Sequence, residues 1–163
     1  MEKIYSDILK IMSEDCRFSA AKIAIMLGEE EPTVVNAIEK LENDGVIVKY
    51  AAIVDEEKIS TESVQALIEV KVAPQKNHGF DSIASEIYNL TEVKSLYLMS
   101  GGYDLAVFVE GKTLRDVARF VSERLSTLDS VLSTATHFIL KKYKIEGAVT
   151  KSEDSSKRLA VHP

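Results

Sequence analysis

Hydrophobic and polar positions alternate in two different rhythms along this chain. In the first third the rhythm is helical: Ile4, Ile8, Ile11 and Met12, widened by Leu9, put one apolar stripe on Glu2–Glu14. Ala20, Ile23, Ala24, Met26 and Leu27 do the same for a short helix that Ser19 opens as N-cap and Gly28 ends. A third helix over Glu31–Asn43 has Pro32 in its first turn and turns Val34, Val35, Ile38 and Leu41 inward, and Gly45 closes it. The apolar run Val46–Val54 then predicts a strand, and Asp55-Glu56-Glu57-Lys58 a turn.

From Val64 the period shortens to two. Val64–Ala73 predicts a half-buried strand, Pro74–Gly79 a loop, and Phe80–Leu90 a helix whose inner side is Phe80, Ile83, Ala84, Ile87 and Tyr88. Val93–Met99 and Leu105–Val109 flank Gly101-Gly102, which predicts a hairpin whose tight turn takes the positive φ that glycine supplies. Thr113 caps a helix over Leu114–Leu125, with Leu114, Val117, Ala118, Val121 and Leu125 inward. A long strand, Val131–Ile145, follows it. The division that results is a helical domain at 1–55, a linker at 56–63, a sheet domain at 64–145 and a solvated tail at 146–163. The fold class is α+β: a winged helix-turn-helix, then a ferredoxin-like βαββαβ unit with two helices on one face of an antiparallel sheet. Strands apolar on both sides around Leu96–Met99 and Ala106–Val109 leave a face that a second copy would cover, sheet against sheet.

Composition narrows the chemistry. The chain has 163 residues, a formal net charge of −6, one cysteine and three histidines. Lone Cys16 can form no internal disulfide, and His78, His137 and His162 show no metal-ligand spacing with it. With no signal peptide and no apolar run near the ~20 residues of a membrane span, a cytoplasmic location is expected. Nucleophile elbow, P-loop, dinucleotide fingerprint and zinc signature are absent, so the sequence points away from an enzyme and from any cofactor.

Ser100, Gly101, Gly102, Tyr103 and Asp104 gather polar groups and backbone amides at one end of the sheet, a place able to hold a small zwitterion. There the amides would meet a carboxylate and Asp104 an ammonium, and the hydroxyls of Ser100, Thr134 and Thr136 would complete the shell. In the helical half, double-stranded DNA is the candidate partner, contacted by Lys22, Thr33, Asn36, Lys40 and Lys49. Charge opposes that contact: Glu29, Glu30, Glu31, Glu39, Glu42 and Asp44 stand against the single base Lys40 between Glu29 and Gly45. Binding by one domain should therefore be weak, and cooperative and salt-sensitive in an oligomer.

The stretch SDILKIMSEDCRFSAAKIAIMLG…VNAIEKLENDGVIVKYAAIVD resembles the N-terminal half of the Lrp/AsnC (leucine-responsive, asparagine-responsive) family of regulators, through the Asp15-Cys16-Arg17 corner and the ending Leu41-Glu42…Gly45-Val46-Ile47…Tyr50. Ser100-Gly101-Gly102-Tyr103-Asp104 is similar to the (T/S)-G-x-(Y/F)-D hairpin of the same family, and Val131…Thr134…Thr136 to its last strand. The resemblance implies an amino-acid-responsive, DNA-binding transcriptional regulator. Its dimers would assemble further, to octamers, with the effector held between dimers near the hairpin. The departures lie in the recognition helix, which opens Glu29-Glu30-Glu31-Pro32 in place of Ser-Pro and holds Ala37, Glu39, Lys40 and Asn43 where arginines are expected. Two alternatives follow from that acidity: an effector-sensing oligomer that acts through a partner regulator, and an enzyme similar to sirohaem decarboxylases.

Overall fold

The computed structural model describes residues 3–59, 63–73 and 79–150. Backbone contacts divide the chain into two units, Met1–Ala52 and Ile53–Pro163. In the first, three helices run α1 (Lys3–Glu14), α2 (Ala20–Leu27) and α3 (Glu31–Asn43). Ile8, Ile23, Ala24, Val34, Ala37 and Leu41 form its buried core, with Ile4, Leu9, Ile38 and Ile47 partly buried around them. Each large aliphatic side chain withdrawn from water there contributes about 1.5–3 kcal/mol. The boundary signals act as expected. The Ser19 hydroxyl accepts from the Lys22 amide at 3.3 Å, and Gly28 ends α2 with φ +70°, its amide bonding to Ala24 O. Two expectations fail. Met26 is exposed on α2 rather than part of its inner stripe, and Val46–Val54 forms no strand. Past the bonds of the Val46 and Ile47 amides to Leu41 O, no strand among the described residues is hydrogen-bonded to this segment. Val48 accordingly stands 87% exposed.

The second unit carries β1 (Val64–Val72), α4 (Asp81–Tyr88), β2 (Val93–Leu98), β3 (Leu105–Gly111), α5 (Leu114–Phe120) and β4 (Val131–Phe138). The four strands make one antiparallel sheet in the order β2-β3-β1-β4. Residues opposite one another across a ladder share a face. Ala66, Ile68 and Val70 pair with Val109, Val107 and Leu105, and this face buries Ile83 and Ile87 of α4 together with Val117, Phe120 and Leu125. Both helices therefore cover the same side.

The other side is mixed. Leu67, Glu69, Ala106, Phe108, Tyr97 and His137 lie on it, with Tyr97 edge-on to Phe108 at 5.9 Å and His137 Nε2 3.4 Å from Glu69 Oε1. Leu114, Ala118 and Tyr88, expected inward, are exposed. Helix α5 is also shorter than its pattern. At Val121 it passes into one π turn that ends at Leu125, closed by the Ser126 amide on Val121 O at 2.8 Å. That turn keeps Leu125 buried while Arg124 reaches both carboxylate oxygens of Glu92 at 2.7 Å.

The long last strand breaks after Phe138. The chain resumes as a small hairpin of β5 (Lys144–Ile145) and β6 (Ala148–Val149), whose two-residue turn puts Glu146 at φ +44° and Gly147 at φ +84°. Positive φ at both central positions is what a two-residue hairpin turn of matching twist demands. The first residues of the expected tail are thus structured. The linker turn forms as a short 3₁₀ segment, Glu56–Lys58, with the Lys58 amide on Asp55 O. The Glu56 carboxylate accepts from Lys142 Nζ at 2.8 Å and from Gln65 Nε2 at 3.2 Å, tying this turn to β1 and to the chain beyond β4. The expected loop over Pro74–His78 and the tail from Lys151 with His162 lie outside the described residues.

Candidate functional site

Between β2 and β3 the chain reverses through six residues, Met99–Asp104, closed by the Met99 amide on Asp104 O at 2.8 Å. Spread over six residues, the reversal needs no left-handed residue. Gly101 and Gly102 do not have positive φ, against expectation. A Cβ on either would meet nothing within 4 Å, so both face open space. Ser100, Gly101 and Gly102 are exposed, and Tyr103 and Asp104 half-buried.

Asp104 anchors the loop. Its amide donates to Val70 O at 3.0 Å and its Oδ2 accepts from the Val72 amide at 2.9 Å, where β1 reaches its register shift at Lys71/Val72. One carboxylate thus holds the exposed loop against the central strand. Its other oxygen, Oδ1, makes no hydrogen bond among the described residues, so a vacant acceptor remains at the end of the exposed loop.

The structure brings Ser100–Asp104 together but does not bring Thr134 and Thr136 to them within one chain. Thr134 lies opposite Val70 and Thr136 opposite Ile68, on the helix-covered face and two strands away from Leu105. The oxygen of the Thr134 hydroxyl is 3.4 Å from Ser126 Oγ. Two features were missed from the sequence: the Val72 amide as the partner of Asp104, and the Glu56–Gln65–Lys142 cluster.

In the first unit the candidate DNA residues are exposed, and two are already engaged. Lys22 Nζ sits 3.9 Å above the Phe18 ring centroid and Lys40 Nζ 5.4 Å above that of Tyr5. Thr33 and Asn36 lie on α3 and Lys49 on the irregular segment after it. Ala37 is buried in the helical core, so it is no groove-facing position. At the Asp15-Cys16-Arg17 corner the Arg17 backbone amide, Nε and Nη2 all donate to Asp15, at 3.0, 2.9 and 2.7 Å. These side-chain and backbone hydrogen bonds hold the Asp15 carboxyl well below the usual carboxylate range. The Tyr50 hydroxyl donates to Glu42 at 2.8 Å. Burial and then that hydrogen bond push it up to about 12. Among the described residues no group of three or more His, Cys, Asp or Glu could hold a metal, and no helix is long and apolar enough to cross a membrane.

The chain belongs to the Lrp/AsnC family: the Lrp/AsnC ligand binding domain matches residues 65–149. Over 159 residues it is 50% identical to YugG of Bacillus subtilis (strain 168), named an uncharacterized HTH-type transcriptional regulator, covering 97% of this chain and 96% of that protein. Among solved structures it is similar to Escherichia coli AsnC (19% identity, TM-score 0.67, covering 89% of this chain and 95% of that one). It is likewise similar to a transcriptional regulator of Neisseria meningitidis, NMB0573, in complex with L-Met (21% identity, TM-score 0.69, covering 89% and 93%). The relatives are named as regulators, and the decarboxylase alternative is set aside.

Proposed function

We propose that this regulator is cytoplasmic, binds double-stranded DNA through α2 and α3 as a helix-turn-helix, and takes a small amino acid at the Ser100–Asp104 loop. The carrying observation is Asp104: a half-buried carboxylate with a vacant oxygen, fixed at the end of the exposed loop Ser100-Gly101-Gly102. A zwitterion needs both signs of partner within one ligand's length, and this loop offers both. A similar regulator bound to L-Met supports the ligand class. The sheet order and the placement of both helices on one face support the ferredoxin-like reading. Leu67, Ala106, Phe108 and Tyr97 on the uncovered face support pairing with a second copy. Dimers then assemble to octamers, with the threonines of β4 from one subunit completing the shell at another's loop.

A ligand shifts DNA binding only by favouring one arrangement of heads over another. With three acids at the entry of α3, a single head binds weakly and the oligomer supplies the affinity. The test is a thermal-shift screen of the twenty amino acids, followed by mobility shifts on the protein's own promoter fragment at low salt. The expected result is that at least one amino acid raises Tm and changes a steep, salt-sensitive DNA shift. A monomer indifferent to all twenty would overturn the ligand reading. An oligomer that responds to an amino acid but shifts no DNA would favour action through a partner regulator.

A further inference from the structure

Helix α3 shows which bases such a head can read. Val34, Ala37 and Leu41 are buried and Ile38 packs partly against them. At about 100° per residue, the positions opposite that core are Pro32, Asn36, Glu39 and Asn43, bordered by Thr33 and Lys40. All six are exposed. Guanine is usually read by Arg or Lys through O6 and N7. This helix has no arginine, and its one lysine rests over the Tyr5 ring. Glu39, an acceptor only, would confront guanine's two acceptors with like charge.

A carboxamide offers one acceptor and one donor, the pair that matches N6–H and N7 of adenine. Of the two asparagines on the stripe, Asn36 lies in the N-terminal half of the helix, the half that meets base edges when such a helix docks. Its side chain makes no hydrogen bond among the described residues, so no internal contact is lost on engaging a base.

We propose that Asn36 is the specificity-determining residue of α3 and reads an adenine in the major groove, so that the protein distinguishes A·T from G·C at that position. This rests on α3 being the recognition helix. The test is selection of bound duplexes from a random pool by the full-length protein at low salt, followed by titration of the selected site and of its single A·T→G·C variants. The wild type should lose about tenfold or more at one adenine, the discrimination of one bidentate contact. N36A, at an exposed site, should keep the wild-type Tm, yet bind the A·T and G·C duplexes within about twofold of each other. A DNA complex whose base preference survives N36A overturns this inference alone, whereas no DNA complex at all overturns the recognition-helix reading with it.

Discussion

Asp104 has two separable roles, and two substitutions pull them apart. In Asp104→Ala the Val72 amide, on a residue only 3% exposed, loses its acceptor at 2.9 Å. Stranding a buried amide donor costs about 1–3 kcal/mol. For a domain of about 100 residues, at ~4 °C per kcal/mol, Tm should fall by roughly 4–12 °C before any ligand is added. Asp104→Asn keeps an oxygen for Val72 but loses the charge for an ammonium. It should melt within a few degrees of the wild type.

An amino acid present at about 100 times its Kd stabilises the wild type by ~2.7 kcal/mol, a shift of roughly 10 °C on the same scale. Both variants should lose that shift. Differential scanning fluorimetry of the three proteins with and without the amino acid reads all six melting temperatures. An Asp104→Asn protein that keeps the full ligand shift refutes the ammonium role. An Asp104→Ala protein that melts like the wild type refutes the anchoring role.

Two further outcomes follow from contacts away from the loop. Thr113 and Asp116 exchange hydrogen bonds as a capping box at the start of α5, at 3.1 Å one way and 3.0 Å the other. Thr113→Ala should cost about 0.5–2 kcal/mol in denaturant unfolding. The Thr113 hydroxyl is also the main cause of the lowered Asp116 pKa, so stability from this site is present above the usual carboxylate range and lost as pH falls through the lowered value. In the variant the folded and unfolded values draw together, so this pH-dependent part of the stability should shrink. The phenol of Tyr50, pushed up to about 12 by burial and by Glu42, contributes stability that is present below about 10 and lost as pH rises through the folded value. Glu42→Ala, which removes the acceptor at an exposed position, should bring its ultraviolet titration down, and an unmoved titration would show that Glu42 has no part in the shift.

Local chemistry was legible where it sets local geometry. The Ser19, Gly28 and Thr113 boundaries, the inward Ile8, Ile23 and Leu41, and the succession of strands and helices in the second unit all follow from spacing and capping. Two errors share a cause. A run such as Val46–Val54 specifies what could pair, but no strand is hydrogen-bonded to it among the described residues. Gly101-Gly102 looks like a tight turn, yet turn type depends on how many residues the register leaves over, and here six remain. The tight turn falls at Glu146-Gly147 instead. Contacts such as Asp104 with Val72, 32 residues apart, and Lys142 with Glu56, 86 apart, leave no trace in any local pattern.

The cluster at Glu56 bears on how the chain can be shortened. Removing everything beyond Ile139 would take Lys142 with it, leaving the Glu56 carboxylate, among the described residues, to Gln65. A protein trimmed there to its sheet domain would keep every strand of the main sheet but lose the bolt across the segment through which the first unit is attached.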